Sequence, residues 1–443
     1  MPILGKNNEA YRSELEAYRR EHEKLKMLLS VTRNISRELD LNKLLKIIMD
    51  EVKVVLHCDR CTVFVLDQEK KELWSRVAHG EKEIRFKAHL GIAGYVATTG
   101  QVVNIPDAYA DDRFNPNIDK KTGYRTRTIL AAPMVNKLGE IIGVFQALNK
   151  LAGPFIRDDE EILDVISTIS ATQIENAQLY AEQKKTFDSF VETLATTIDA
   201  RDPLTAGHSR RIALYADAIA QVVKLSEQER EVLRTAALLH DFGKIAVREA
   251  ILTKEGRLTH NEFRHIQDHP LYTQSILEKI NFSRNLSQVP LIAASHHERL
   301  DGTGYPHGLN GSEIPVLAKI LSVVDVFDAL TSRRHYRDRM DFLQVIYVLN
   351  QGSGTQFDEF YLAAFKKIPV SSLVEIMEDG HSDSLNRDDL NHLNEITLSE
   401  LIDALEADQP DKDQHEMVRI FEYYYSRTYL HGQDKKANSE GML

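Results

Sequence analysis

The residues best suited to chemistry in this sequence are histidines and aspartates in its second half. They are His208, His240, Asp241, His269, His296, His297 and Asp325. Taken singly, each would more often be a structural polar residue. Neutral imidazole suits Fe, Mn, Zn and similar ions, and seven such groups exceed the four ligands of a structural zinc site. Together they predict a centre with two metal ions, and such a centre is suited to phosphoester hydrolysis.

Short strings around these residues follow one another in a recognisable order. They are Arg201-Asp202-Pro203, Gly207-His208-Ser209, His240-Asp241-Phe242-Gly243-Lys244-Ile245, His296-His297-Glu298-Arg299-Leu300-Asp301-Gly302-Thr303-Gly304-Tyr305-Pro306, Asp325-Val326-Phe327-Asp328-Ala329-Leu330-Thr331 and Gly354-Thr355-Gln356-Phe357-Asp358. Taken together, they resemble the HD-GYP subgroup of the HD hydrolase superfamily. The resemblance implies an all-α HD-type domain that hydrolyses cyclic di-GMP to linear pGpG, and often on to GMP.

The resemblance also implies roles for individual residues. The seven histidines and aspartates would bind two divalent transition metal ions, Fe or Mn. Lys244, Arg334 and Arg337 would bind substrate phosphates beside Asp241 in the catalytic set, although surface ion pairing is the alternative for the two arginines. The substrate pocket would comprise Asp202, Asp301, Gly304, Tyr305 and Pro306. The loop at Gly304 would shape this pocket, because Gly permits tight turns and Pro fixes one.

One position departs from part of that family. Some members carry a Glu four residues before the first His, where it helps to hold a third metal ion. Leu204 occupies that position here, and a leucine side chain has no atom that binds a cation. Two metal ions are therefore expected, and not three.

The pattern of apolar residues predicts the elements that carry these groups. Residues 200–370 are mostly helical in pattern, and Ala236-Ala237-Leu238-Leu239 leads directly into His240. A helix is predicted from about residue 8 to 40, where Tyr11, Leu15, Tyr18, Leu25 and Leu29 follow a weak coiled-coil spacing. Alternating segments at Thr62–Leu66 and Ile141–Phe145 predict strands of an α/β unit. A further helix over 158–200, about 60 Å long if continuous, could join two domains and pair with its copy in a homodimer, or pack only on its own domain.

A second resemblance concerns the first half of the chain. Its residues are Asn149-Lys150, Phe155 and Asp159-Glu160, with Gly91-Ile92-Ala93-Gly94, Thr98-Thr99-Gly100-Gln101 and Asn104-Ile105-Pro106-Asp107-Ala108-Tyr109. They resemble a GAF domain of the kind that binds cyclic nucleotides. Matching positions for ligand contacts are Ile92, Ala93, Asn115, Asp119, Thr122 and Thr126, with an ion pair between Lys150 and Asp159 securing the pocket.

The nucleotide bound by this domain is open to two interpretations. Members that prefer guanine have a carboxylate where His79 stands, and a carboxylate is what would accept the N–H donors of guanine. Cyclic AMP is therefore expected as the regulatory ligand in preference to cyclic GMP. The alternative is a GAF fold that serves only in dimerisation.

These predictions combine into a multidomain chain. An N-terminal helix (1–24) precedes an α/β GAF sensor with an antiparallel sheet and flanking helices (25–180). The connecting helix (158–200) joins it to the all-α HD-GYP domain (185–370), and an acidic helical extension (371–443) follows. In that extension Thr397-Leu398-Ser399-Glu400 forms a capping box that predicts a helix start.

Composition excludes several other classes of protein. The net charge of −12 argues against binding a nucleic acid polymer, which requires many Lys and Arg contacts to phosphates. The sequence contains no apolar run long enough to span a membrane and no signal-peptide pattern, so a cytoplasmic location is expected. Cys58 and Cys61 lack partners for a zinc site and are expected to be reduced thiols at a strand start. Two other functions stay open: a non-catalytic receptor for cyclic dinucleotides, and a hydrolase of a hybrid cyclic GMP-AMP. The loop at Gly304 argues against a third, hydrolysis of a nucleoside polyphosphate.

Overall fold

The structure is a computed structural model that describes residues 3–75, 84–201, 207–254, 256–332, 339–379 and 385–427. The chain divides into two compact units, Met1–Thr186 and Phe187–Leu443. Within the described residues, no helix is both long and apolar enough to cross a membrane. Each unit has its own hydrophobic core.

The first unit is built on an antiparallel sheet. Its strands are β1 (Cys58–Asp67), β2 (Glu72–Ser75), β3 (Ile84–Lys87), β4 (Val103–Ile105), β5 (Ile129–Val135) and β6 (Ile141–Lys150). They are ordered β3-β2-β1-β6-β5-β4, and every neighbouring pair is antiparallel. The helices that begin in this unit are α1 (Ile3–Ile35), α2 (Leu41–Val55), α3 (Gly91–Thr99), α4 (Pro116–Thr122) and α5 (Arg157–Arg201). The predicted sheet with flanking helices is confirmed.

The sheet separates two apolar clusters, because successive side chains of a strand point to opposite faces. Val63 of β1 packs in a cluster with Ile48 of α2 and Ile166 of α5. The next residue, Phe64, packs on the other face with Ile92 of α3. Ile92 borders the cavity described below, so this second cluster also forms part of a cavity wall.

The N-terminal helix ends earlier than the sequence predicts. It ends at Ile35, and Asp40 then starts α2 by accepting a hydrogen bond from the Lys43 backbone N–H at 2.9 Å. A capping carboxylate with extended backbone cannot lie inside one continuous helix, which is why a helix through residue 40 was wrong. The predicted apolar stripe on α1 is exposed, from 50% at Leu15 to 74% at Tyr11, and its pairing in a dimer stays a prediction.

The second unit consists of helices, and its described residues form only isolated β-bridges besides them. This confirms the all-α prediction. After α5 the helices are α6 (His208–Val222), α7 (Glu227–Leu239), α8 (Glu249–Leu252), α9 (His260–Gln267), α10 (His269–Leu277), α11 (Val289–Ala294), α12 (Val316–Thr331), α13 (Phe342–Gln351), α14 (Glu359–Phe365), α15 (Val370–Met377), α16 (Arg387–Leu393), α17 (Leu398–Glu406) and α18 (Lys412–Arg427). A 3₁₀ turn, Phe242–Ala246, follows α7.

The C-terminal helices belong to the core of this unit. Leu398, Phe421 and Tyr424 lie in the same buried cluster as Phe327 of α12. The capping box at Thr397 and Glu400 is present and starts α17, as predicted. The described part of 371–443 therefore completes the second core. Its acidic residues stand beside apolar residues of α15, α17 and α18 that are buried in that core.

The two cysteines follow the sequence prediction. Cys58 and Cys61 lie at the start of β1, where both are buried and neither forms a disulfide. Burial raises the pKa of the Cys58 thiol to about 11. A thiol with so high a pKa is a poor nucleophile and metal ligand at neutral pH.

Candidate metal centre

The seven predicted ligands lie on, or directly after, five helices of the second unit. His208 begins α6, His240 and Asp241 follow α7, His269 begins α10, His296 and His297 follow α11, and Asp325 lies in α12. Helix ends can present side chains towards one point while the helix bodies pack beside one another. The helices thereby bring together residues that are far apart in sequence.

The ligand atoms form three overlapping groups. They are His208, His240 and Asp325; then His240, Asp241 and His296; then His269, His296 and His297. Within each group the atoms lie within 4.8 Å of one another. Every residue of the predicted set belongs to at least one group, and His240 and His296 each belong to two.

Backbone hydrogen bonds orient three of the histidine rings. Nδ1 of His240, His269 and His296 each lies 2.7 Å from the carbonyl oxygen three residues earlier. A carbonyl oxygen only accepts, so each Nδ1 carries the hydrogen. In the neutral ring the lone pair is then on Nε2, the atom that faces the cluster.

Two observations at these Nε2 atoms fit a bound cation. Nε2 of His240 is buried and has no hydrogen-bond partner, a costly arrangement for a polar atom. Nε2 of His269 lies 3.4 Å from Nε2 of His296, so two nitrogen lone pairs face each other. A cation would relieve both, and the imidazole and carboxylate donors suit a transition metal ion.

Asp241 is the most heavily contacted carboxylate of the cluster. Its oxygens lie 2.6 Å from Nζ of Lys244 and 3.1 Å from Nε2 of His269. Burial opposes charge on Asp241, but the ammonium of Lys244 favours it, and the pKa of Asp241 lies well below its usual value. The carboxylate is therefore ionised, as a metal ligand must be.

A second aspartate, which sequence reasoning did not single out, orients His208. Asp328 is buried and accepts a hydrogen bond from Nδ1 of His208 at 2.8 Å. It also receives a bidentate pair from Arg211, at 2.7 and 2.9 Å. The signal available in the sequence was its position three residues after Asp325, which places both on one helical face.

The carboxylates around His208 favour a positive charge there. Burial alone would lower the pKa of His208, but Asp325 and Asp328 raise it to about 10. Without metal, this ring therefore holds a second proton between the two carboxylates. A cation at Nε2 would displace that proton, because ligation requires the neutral ring.

Asp328→Asn is expected to weaken metal binding by about 10–100-fold, the usual cost of losing a partner that orients a ligand. The amide keeps the shape of the carboxylate but loses the charge that holds His208 and Arg211. Titration of metal-free protein with Mn²⁺ measures this effect. Asp217→Asn is the matched control, since Asp217 makes a similar bidentate pair with Arg230 away from the cluster. Equal Mn²⁺ affinity in the two variants would contradict the role given to Asp328.

The Gly304-Tyr305-Pro306 loop lies against the cluster. The Tyr305 ring packs on His297, with centroids 4.7 Å apart and planes inclined by 34°. The buried carboxylate of Glu298 holds the loop by accepting the backbone N–H groups of His307 and Leu309, at 2.7 and 2.9 Å. A Cβ at Gly304 would lie 2.4 Å from the backbone nitrogen of Arg299. The close approach of these two backbone segments therefore requires glycine.

Asp301 braces the same loop. It accepts hydrogen bonds from the backbone N–H and the hydroxyl of Thr303, at 3.0 and 2.6 Å. These bonds lower the pKa of Asp301 to about 2. The carboxylate predicted to line the substrate pocket is thus engaged within the loop.

Several predicted residues lie outside the described part of the chain. They are His79, Asp202, Leu204, Arg334 and Arg337. The side chain of Thr122 is likewise outside it. The roles predicted for these residues stay predictions.

The first unit contains a cavity of about 360 Å³ on the α3 face of its sheet. Ile92, Ala93, Asn115, Asp119 and Thr126 line it, which brings together the predicted ligand contacts whose side chains are described. Lys150 and Asp159 do not line the cavity, but they form an ion pair with each other. Asp159 also accepts the Ile156 backbone N–H at 2.7 Å, so the pair ties the end of β6 to the start of α5.

Polar contacts fix the cavity wall around Thr126. Asp119 accepts the Thr126 backbone N–H and hydroxyl at 2.6 and 2.8 Å. Asn149 accepts the Arg127 N–H at 2.6 Å and donates to the Tyr124 hydroxyl at 2.8 Å. Asn149, recognised in the sequence only as part of a signature, therefore holds the segment that carries the wall.

Comparison with known proteins supports two domains. Residues 192–360 match an HD domain family, and residues 40–174 match a GAF domain family. A 3′3′-cGAMP-specific phosphodiesterase 3 of Vibrio cholerae is 42% identical over 184 residues, which cover 41% of this chain and 39% of that protein.

Two further relatives are named as phosphodiesterases for other nucleotides. A cyclic di-GMP phosphodiesterase response regulator of Xanthomonas campestris is 39% identical, covering 37% of this chain and 43% of its own length. A dual 3′,5′-cyclic-AMP and -GMP phosphodiesterase 11A of Takifugu rubripes is 38% identical, covering 39% of this chain and 21% of its own. The chain spans less than half the length of each of these relatives.

Proposed function

We propose that this chain, in which an HD domain follows a GAF domain, is a metal-dependent phosphodiesterase that hydrolyses a cyclic dinucleotide. The observation that carries the proposal is the convergence of all seven predicted ligands into three overlapping groups. The relatives named as phosphodiesterases for cyclic di-GMP and 3′3′-cGAMP support the substrate class.

The donor set suits two divalent transition metal ions, Fe or Mn. Seven donors exceed what one tetrahedral site takes. When bound, such ions would lower the pKa of water and neutralise charge on phosphoryl oxygens. The first ion would be held around His208, His240 and Asp325, and the second around His269, His296 and His297. Asp241 could serve either one, because its oxygens lie 3.8 Å from Nε2 of His208 and 3.1 Å from Nε2 of His269.

The protein's own side chains supply orientation and charge around this centre. Asp328 and the backbone carbonyls fix the histidine rings, as described above. Lys244 carries a compact positive charge beside Asp241, where a substrate phosphate could replace part of its interaction with the carboxylate. Tyr305 offers a partly buried ring beside His297 against which a base could stack.

Cyclic di-GMP is the first candidate substrate, with linear pGpG or GMP as product. 3′3′-cGAMP is the second, because a relative named as a 3′3′-cGAMP-specific phosphodiesterase is 42% identical in the aligned region. Incubating protein loaded with Mn²⁺ or Fe²⁺ with each dinucleotide, and resolving the products by chromatography, gives the two values of kcat/KM. Binding of either dinucleotide without product would identify a receptor instead of an enzyme.

We further propose that the cavity of the first unit binds a cyclic nucleotide, with cyclic AMP preferred over cyclic GMP, and that binding regulates hydrolysis. Its lining by Ile92, Ala93, Asn115, Asp119 and Thr126 supports this. A ligand can regulate only if it binds two arrangements of the protein with different affinity. Helix α5 has residues in both cores and is the element we expect to differ between those arrangements.

Titration calorimetry is expected to give a Kd for cyclic AMP about fivefold below that for cyclic GMP. A fivefold ratio corresponds to the free energy of roughly one net hydrogen bond. Ala93→Met should weaken both, because Ala93 is buried at the cavity wall and a larger side chain fills the space. Thr99→Met, exposed on the same helix, is the control. No heat with either nucleotide would favour a GAF domain that only dimerises.

A further inference from the structure

The last turn of α5 is bonded to the turn that carries Lys244. Arg201, the final residue of α5, donates from Nη1 to the carbonyl oxygen of Ile245 and from Nη2 to that of Val247, the latter at 2.9 Å. Ile245 lies within the 3₁₀ turn Phe242–Ala246, and Val247 directly follows it. One guanidinium therefore spans two points of a short backbone segment.

The backbone between these points leads directly to the metal centre. The Val247 N–H donates to the Lys244 carbonyl at 3.0 Å, and the Lys244 N–H donates to the Asp241 carbonyl at 2.9 Å. Nζ of Lys244 then returns to the Asp241 carboxylate at 2.6 Å. A shift of the turn would consequently move the ammonium relative to the carboxylate.

The same turn of α5 also contacts the other side of the centre. Asp199 is buried and accepts the Ser209 hydroxyl at 2.7 Å and its backbone N–H at 3.3 Å. Ser209 directly follows His208. Two residues at the end of α5 thus contact the residue after His208 and the turn that carries Lys244.

We propose that Arg201 is a positioning residue that sets the place of Lys244 relative to Asp241 by holding the 242–247 backbone. The inference rests on the proposed hydrolysis, because Lys244 matters there as a phosphate-binding group. A guanidinium has donors spread in a fixed fork and can hold both carbonyls, whereas an ammonium is a point charge. Helix α5 also supplies Ile162 and Ile174 to the core of the first unit. A displacement of α5 would therefore be transmitted to this turn through the hydrogen bonds of Arg201.

A double-mutant cycle tests the action of Arg201 through Lys244. Arg201→Met is expected to lower kcat/KM about tenfold, and Arg201→Lys less, with the metal content unchanged. In the Lys244→Met background, Arg201→Met should change kcat/KM less than twofold, because residues that act as a unit are not additive. A full tenfold loss in that background would overturn the proposal. Arg230→Met, which breaks the pair with Asp217, is the control for losing a partly buried arginine.

Hydrogen exchange of the metal-free full chain gives a readout that does not depend on activity. The amides of residues 244 and 247 should exchange at least about tenfold faster in Arg201→Met than in wild type, while Arg230→Met leaves them unchanged. Unchanged exchange at these amides would also overturn the proposal. If wild type hydrolyses no cyclic dinucleotide, the proposed function fails, and the exchange result still decides whether Arg201 holds the turn.

Discussion

Replacing His240 with alanine is expected to lower kcat for cyclic dinucleotide hydrolysis by more than about 100-fold. Loss of a residue that only orients a metal ligand usually lowers activity by about 10–100-fold, and loss of a ligand itself should lower it further. His240 belongs to two of the three ligand groups, and its removal takes away one of the three residues around which the first ion would be held. Its Nε2 is also the buried atom without a partner. In the metal-free protein, the substitution therefore breaks no hydrogen bond at that atom.

Metal content and folding are the measurements that accompany this result. Elemental analysis of protein purified without oxygen should give about two ions per wild-type chain, as expected for a paired site, and fewer in His240→Ala. Circular dichroism should show an unchanged helical content. His415→Ala, an exposed histidine on α18, should keep both metal and turnover. Turnover retained in His240→Ala would remove the metal assignment.

The grouping of the seven candidate ligands could be predicted from sequence because these residues stand in strings of fixed order. Each string shows a residue type and a local spacing, and the folding of α7 into His240 follows from its apolar pattern. The partner of His208 could not be predicted, since Asp328 lies 120 residues away. Such a contact depends on how α6 packs against α12, which the spacing within either helix does not determine.

The role of the C-terminal region could not be predicted from sequence for a related reason. Acidic composition suggested an appendage, but the few apolar positions on each helix decide the packing. Arg339 donates to the Tyr425 carbonyl across 86 residues, and its guanidinium lies 3.4 Å from the centre of the Tyr425 ring. The Tyr425 hydroxyl donates to the Met340 carbonyl at 2.7 Å. Helix α18 therefore supports the backbone that precedes α13, and a truncation before α18 would expose part of the second core.

Gly243→Ala is expected to produce the largest structural effect of any single methyl group near the centre. A Cβ at this position would lie 1.9 Å from the His269 carbonyl oxygen and 2.4 Å from the Thr273 backbone nitrogen. Both are backbone atoms of α10, so no side-chain rotation can relieve the overlap. The Gly243 N–H also donates to the Thr273 hydroxyl at 2.8 Å, and that hydroxyl donates to the His240 carbonyl at 3.0 Å.

The turn that carries Lys244 must therefore move away from α10 or the protein must lose stability. Overpacking of this kind costs about 1–3 kcal/mol and sometimes more, and a displacement near 1 Å can cost about 100-fold in rate. Thermal unfolding and kcat of Gly243→Ala should both fall. Gly256→Ala adds the same methyl group where no atom lies within 4 Å and the backbone is not left-handed, so it should change neither. A Gly243→Ala protein with wild-type stability and rate would show that α10 and the Lys244 turn are packed less closely than these distances indicate.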